Sequence, residues 1–298
     1  MAHGGLRKFG LDAASLRAEH PRLIYASITG FGQDGPYAAR AGYDYIIQAM
    51  GGLMSLTGLP DGEPGGGPMR VGVAVADLFT GMYTASAILA ALYRREQTGE
   101  GATIDMALFD TQLAVLANQA SNALVAGTDP TRQGAGHPNI VPYQPFDAAD
   151  QPIIVAVGND GQFGKLAAIL GHPEWTADPA FATNAARVAA RDRLVPMIAE
   201  IIAARPAANW LDELERAGIP AGPINTISQA LADVQAVHRG TRFDLGGVPM
   251  VGSPVRIDGE RNDASLPPPW LGEHGDEILE RFADTEEIER LRAAGIVA

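Results

Sequence analysis

One carboxylate stands out by its surroundings. In Val71-Gly-Val-Ala-Val-Ala-Asp77-Leu-Phe-Thr-Gly-Met82, Asp77 is the only charged residue of an otherwise apolar run. Moving an unpaired carboxylate out of water is costly or raises its pKa, so Asp77 needs either a local hydrogen-bonding role or a chemical one. The local role is a helix N-cap, because Asp is favoured there and Met82, Ala85, Ile88, Leu89 and Leu92 follow at helical spacing. Other chemistries have little to work with. The chain has no cysteine, which excludes a disulfide scaffold, a Cys-ligated zinc or iron–sulfur site and a thiolate nucleophile. Its six histidines are scattered, without metal-ligand spacing.

The elements around Asp77 follow from pattern and punctuation. Leu23 to Thr29 is apolar and β-branched, a short strand ended by Gly30-Phe-Gly32 and the turn Gln33-Asp-Gly-Pro36. Apolar and small residues recur at helical spacing from Tyr43 to Met54, and the tract from Gly58 to Pro68 then forms a loop. A helix is predicted from Thr80 to Thr98 with Gly99 as its C-cap. A second long helix is predicted from about Ile104 to Val125, charge-poor and so buried on several sides. The loop Gly127 to Pro142 marks a candidate domain boundary. Pro152 to Val157 reads as a buried strand, with helices near 162–170, 191–204 and 210–217 after it. A Val- and Pro-rich stretch from Val248 to Ile257 and two amphipathic helical patterns after Pro269 close the chain. Periodicity alone supports a mixed α/β protein.

With 298 residues, 46% of them hydrophobic and 19% charged, the chain can bury a core of one large or two modest domains. A formal charge of −13 argues against a nucleic-acid partner, which needs clustered Lys and Arg. Only Lys8 and Lys165 are lysines, so an anionic ligand would lean on arginine and on the backbone of the 35 glycines. No apolar run is read as long enough to cross a membrane, and the N-terminus lacks the basic-then-apolar order of a secretory signal. The expectation is a soluble, cytoplasmic protein.

Six segments in order resemble the family III CoA-transferases. They are Pro21-Arg-Leu-Ile-Tyr-Ala-Ser-Ile-Thr-Gly-Phe-Gly-Gln-Asp-Gly-Pro-Tyr37, Gly42-Tyr-Asp-Tyr-Ile-Ile-Gln-Ala-Met-Gly-Gly-Leu-Met54, the Asp77 run, Thr98-Gly-Glu-Gly101, Gly222-Pro-Ile-Asn225 and Pro267-Pro-Pro-Trp-Leu-Gly-Glu-His274. The resemblance implies an α/β fold with a large Rossmann-like domain, N-terminally truncated here, and a smaller α/β domain. In this chain 1–133 would be the CoA-binding and catalytic part of the large domain, 134–228 the small domain, and 229–298 a return segment packing on the large one. Asp77 falls on the family's catalytic aspartate. It would attack an acyl-CoA thioester and carry CoA as an aspartyl thioester to an acceptor acid, in a water-poor pocket, with coenzyme A as substrate and no bound cofactor or metal.

Supporting residues are carried over by position. Tyr43 and Asp44 lie where the family has a Tyr-Glu pair beside the nucleophile, and Ala41, Gly42, Tyr43 and Asp44 overlie a CoA-contacting stretch. The bland alternative for Tyr43 is a core aromatic with a satisfied hydroxyl. Gly134, Gly136 and His137 fall where a glycine run closes over the reacting centre and could present backbone N–H groups to an oxyanion. An ordinary interdomain turn is the competing reading. Gly272-Glu-His274 reads as the start of a helix. The succinyl-CoA:glutarate branch shares the runs at Gly42 to Ile46, Ile140 to Gln144 and Gly222 to Asn225, which implies a dicarboxylic acceptor and an arginine to hold its far end.

Two alternatives stand beside this. The family's α-methylacyl-CoA racemases carry a histidine where this chain has Tyr43, and a tyrosine is a poor base at neutral pH. The other alternative is an inactive fragment or interaction protein, because Met1 to Gly10 joins the family pattern downstream of its usual start. Family members are interlocked homodimers, and apolar faces left uncovered would favour association.

Overall fold

The computed structural model describes residues 4–297 and divides into two compact units, Met1–Pro223 and Ile224–Ala298. In the first, helix α1 (Ala13–Glu19) starts at Asp12, whose Oδ1 accepts the Ala14 and Ser15 N–H groups at 3.1 and 3.2 Å. Strand β1 (Ile24–Thr29) follows. The expected single helix over 43–54 is two, α2 (Asp44–Met50) and α3 (Leu53–Leu56). They part at Gly51-Gly52, where Gly52 takes φ 84°, a left-handed conformation that glycine adopts without strain.

Helix α4 (Val75–Thr98) runs between β1 and β2 (Ala102–Ala107), which pair in parallel from Ile24↔Ala102 to Thr29↔Ala107. A parallel pair needs such a crossover, and α4 packs on both strands. Gly99, with φ 77°, ends the helix as predicted and its N–H donates to Arg95 O. The start differs from prediction: the helix begins at Val75, not Thr80. At 24 residues, or about 36 Å, α4 meets the length and composition of a membrane span, which corrects the expectation that no apolar run is long enough. Length and composition do not by themselves make a span. Only Ala76, Thr80 and Thr84 of α4 are buried, and Leu78, Met82, Leu89 and Tyr93 are exposed.

The helix predicted from Ile104 to Val125 is also corrected. Ala102-Thr-Ile-Asp-Met-Ala107 alternates between partly buried and exposed residues and is a strand, while α5 (Leu108–Val115) and α6 (Asn118–Ala126) are separate helices. Ala117, with φ 50°, breaks the helical path between them. Nor is α6 buried: Leu124 and Val125 are exposed.

The main core lies further on. Strands β3 (Tyr143–Asp147), β4 (Pro152–Ala156) and β5 (Ala221–Pro223) form an antiparallel sheet in that order. Helices α7 (Asp160–Ile169), α8 (Asn184–Ala189), α9 (Arg191–Ala203) and α10 (Ala207–Ala217) belong to the same region. Leu194, Ile198 and Ile202 repeat every four residues along α9, and Ala207, Trp210 and Leu214 line α10, so each helix puts one apolar stripe into the buried cluster that also holds Ile153, Val155 and Phe163. By contrast, the cluster beside α4 contains only Ile47, Ala76 and Leu108, flanked by Phe31 and Phe109. The strand expected at 152–157 and the helices near 162–170, 191–204 and 210–217 are therefore present with small shifts in their ends.

The second unit contains α11 (Ile227–Ala232) and α12 (Val234–His238), the hairpin β6 (Arg242–Leu245) with β7 (Val248–Val251), the short pair β8 (Arg256–Ile257) with β9 (Glu260–Arg261), and α13 (Gly275–Leu279) and α14 (Thr285–Ala293). His274 is the N-cap of α13, as the reading of Gly272-Glu-His274 required.

One contact in the first unit sets where α2 begins. Gly30, just past β1, and Gly42, just before α2, touch backbone to backbone. A Cβ on Gly42 would lie 2.6 Å from Gly30 Cα and 3.3 Å from Phe31 Cε2. Gly42→Ala must therefore push the chain apart at this crossing, and we expect a loss of about 1–3 kcal/mol, read as a lowered midpoint in thermal unfolding. An unchanged midpoint would mean that the crossing is loose.

Candidate active site

The first turn of α4 carries Asp77, and the sequence offers that helix no cap of its own. The N-cap residue, Ala74, makes no side-chain bond, so the free N–H groups of the first turn must find acceptors elsewhere. Asp44, the first residue of α2, supplies one: its Oδ1 accepts the Ala76 N–H at 2.9 Å. A carboxylate here also faces the positive end of the helix dipole. Asp77 is thus not the N-cap, and the capping reading passes to Asp44, which is distant in sequence.

Gln48, one turn after Asp44, completes the arrangement. It is fully buried. Its Nε2 donates to Asp44 Oδ2 at 2.7 Å and to Val73 O at 3.4 Å, and its Oε1 accepts the Val71 N–H at 2.9 Å. The sequence reading passed over Gln48. The available signal was a lone amide among Ile46, Ile47, Ala49 and Met50, spaced four residues from Asp44.

Asp77 itself accepts no hydrogen bond among the described residues, and its side chain is exposed. Its pKa is nevertheless raised above the ordinary carboxylate range, first by partial burial and second by the Asp44 carboxylate. Because Asp77 is largely open to solvent, the shift indicates its proton affinity and not a measure of stability. Two grooves, of about 520 and 670 Å³, lie by Gly218 to Pro223 and by His172, Met197 and Arg205, and neither is lined by Asp44 or Asp77.

Asp77 must lose its proton to act as a nucleophile, so a raised pKa moves the onset of reactivity to higher pH. Asp44→Asn removes the charge that contributes to the shift, and the Asp77 pKa should fall while staying above its ordinary value, since burial remains. A carboxyl carbon NMR titration of Asp77 in the two proteins checks this. A midpoint that stays put or rises in Asp44→Asn would contradict it.

The other candidate residues divide into two groups. Asp44 and Asp77 come together at the N-terminus of α4, and Ala41, Gly42 and Tyr43 lead into Asp44. Tyr43 is 74% exposed, so it is not a core aromatic. Gly134, Gly136 and His137 are held by bonds of their own. The Gly134 N–H donates to Gly58 O at 3.2 Å, and the His137 N–H donates to Tyr143 O at 2.9 Å. His137 Nδ1 accepts the Asn139 N–H at 3.1 Å, and Arg191 Nη2 donates to the His137 and Pro138 carbonyls at 2.7 and 3.0 Å. These bonds describe a braced turn, and none of them reaches Asp44 or Asp77. Among the described residues no cluster of His, Asp and Glu forms a metal site.

Comparison with known proteins agrees with the residue pattern. Residues 1–275 match the family described as CoA-transferase family III. Succinate–glutarate CoA-transferase of Agrobacterium fabrum is 49% identical over 96% of this chain and 71% of its own length. Acetyl-CoA:oxalate CoA-transferase of Acetobacter aceti is 39% identical over 95% of this chain and 72% of its own. The crystal structure of a CaiB/BaiF family protein from Brucella suis superposes with a TM-score of 0.81 at 50% identity, covering 94% of this chain and 73% of that one. With its α/β fold, its Asp77-bearing helix and the match along most of its length, the chain belongs to CoA-transferase family III.

Proposed function

We propose that this enzyme moves CoA from an acyl-CoA to a dicarboxylic acid through a covalent intermediate on Asp77. The observation that carries the reading is the placement of Asp77: an exposed carboxylate in the first turn of a helix, with no hydrogen bond to blunt it. Its oxygen attacks the thioester carbonyl, the C–S bond breaks, and a mixed anhydride and CoA thiolate result. The thiolate then attacks the aspartyl carbonyl and releases the donor acid as its carboxylate. The acceptor carboxylate attacks the aspartyl thioester in turn, and a second thiolate return leaves acceptor-CoA and free Asp77. Each step exchanges one acyl bond for another, so no ATP hydrolysis is required. The similar enzyme from Agrobacterium fabrum is named for succinate and glutarate and that from Acetobacter aceti for acetyl-CoA and oxalate; each name includes a free dicarboxylic acid, which supports that acceptor class.

The test pairs succinyl-CoA with glutarate, oxalate and a monocarboxylate such as butyrate, with new CoA thioesters followed by chromatography. In parallel, hydroxylamine quenching converts an aspartyl thioester or anhydride into a hydroxamate that mass spectrometry can map. Thioesters of the dicarboxylates together with a hydroxamate on Asp77 are the expected result. Turnover of monocarboxylates alone would sink the acceptor assignment, and a hydroxamate on another residue would sink the nucleophile.

A further inference from the structure

We propose that Gln48 is a positioning residue for the reaction: its buried amide holds the segment 71–76, and through it the Asp77 carboxylate, in the orientation needed for attack. The proposal rests on the Asp77 reading above, but its geometry stands apart from that reading. Segment 71–76 runs from four irregular residues into the first two of α4, is made of small and apolar residues, and contains no side-chain hydrogen-bonding group of its own. It is held at three backbone points by two side chains of α2: Val71 N–H and Val73 O by Gln48, and Ala76 N–H by Asp44.

The Gln48 amide can take only one orientation in this setting. Both Nε2 hydrogens are used, one on Asp44 and one on the Val73 carbonyl, and Oε1 faces an N–H donor. Flipping it would set an NH2 group against the Val71 N–H and an oxygen against the Asp44 carboxylate, losing the bonds and adding repulsion. With that orientation set, the Nε2 donor holds Asp44 Oδ2, and the remaining oxygen is aimed at the Ala76 N–H. Asp44 therefore accepts an N–H bond on each oxygen. Asp44 then acts as the cap of α4, and Gln48 is what keeps it there. Because the network is buried at Gln48, its loss is not replaced by bulk water without opening the structure.

Two variants test the idea. Gln48→Met keeps the length and loses every bond. Gln48→Glu, when protonated, keeps an O–H donor for Asp44 and an acceptor for Val71, and loses the match once ionised beside Asp44. For Gln48→Met we expect amide hydrogen exchange at Val71 and Ala76 to quicken on the order of tenfold or more. Its rate of hydroxamate formation on Asp77 at saturating succinyl-CoA should fall by roughly 10- to 100-fold, with little change in KM. For Gln48→Glu, both exchange protection and rate should recover towards the parent as the pH is lowered, against the direction in which the parent rate moves. A merely structural role would lower thermal stability without that pH-dependent rescue. Parent-like exchange at Ala76 in Gln48→Met, or a lowered rate that Gln48→Glu does not restore at any pH, would overturn the proposal. If the parent itself forms no hydroxamate on Asp77, the nucleophile assignment has failed, and with it the catalytic role of Gln48. Exchange at Val71 and Ala76 would still report separately on the network.

Discussion

Asp77→Ala is expected to remove CoA transfer by at least roughly three orders of magnitude while leaving the fold intact. The size follows from the role: without the carboxylate no covalent intermediate can form, and binding alone does not move an acyl group. The intact fold follows from the structure. Asp77 is exposed and accepts no hydrogen bond among the described residues, the cap of α4 comes from Asp44, and alanine is the best helix former. Removing Asp77 also relieves its repulsion with Asp44. Thioester exchange between succinyl-CoA and glutarate, alongside thermal unfolding of the same preparation, decides the matter. Residual exchange near the parent rate would refute Asp77 as the nucleophile, and a collapse of the unfolding midpoint would refute the account of the α4 cap.

The largest effect on stability is expected at Arg187, on α8. Its side chain is fully buried, donating from Nε to Val141 O at 2.8 Å, from Nη1 to Phe181 O at 2.9 Å and from Nη2 to Asp160 Oδ1 at 2.7 Å. The guanidinium also lies 4.3 Å from the Phe163 ring centroid. Arg187→Ala leaves two carbonyls without their donor and opens a void in the main core, and we expect a loss of about 3–5 kcal/mol. Against a typical total of about 5–15 kcal/mol, that is a large share of the stability of the fold. Arg187→Lys should fall between the two, because an ammonium cannot reproduce the three directions of the fork. Chemical denaturation measures the loss, and a value under about 1 kcal/mol for Arg187→Ala would show that water replaces the guanidinium.

Asp44→Asn and Gly42→Ala bear on the same small region from different sides. The first asks whether charge at α2 sets the proton affinity of Asp77. The second asks whether the glycine crossing sets where α2 begins. Together with Gln48 they separate the electrostatics of the site from its scaffolding.

The family, the candidate carboxylate Asp77 and most elements of the 143–217 core were legible in the sequence. The reason is local: Asp77 in an apolar run, glycine and proline punctuation, and the four-residue stripe along α9 are written within a few residues of one another. The strand at 102–107 was misread because its alternation is short and flows directly into α5, so an apolar composition masked the change of period. The early start of α4 was hidden because Ala74 carries no capping side chain. Only the tertiary structure decided that the cap of α4 is Asp44, that Gln48 ties α2 to the segment before Asp77, and that Gly134, Gly136 and His137 form a braced turn bonded elsewhere. Those are contacts between residues tens of positions apart, and no local pattern encodes a hydrogen bond whose two ends meet only once β1, α2 and α4 have packed together.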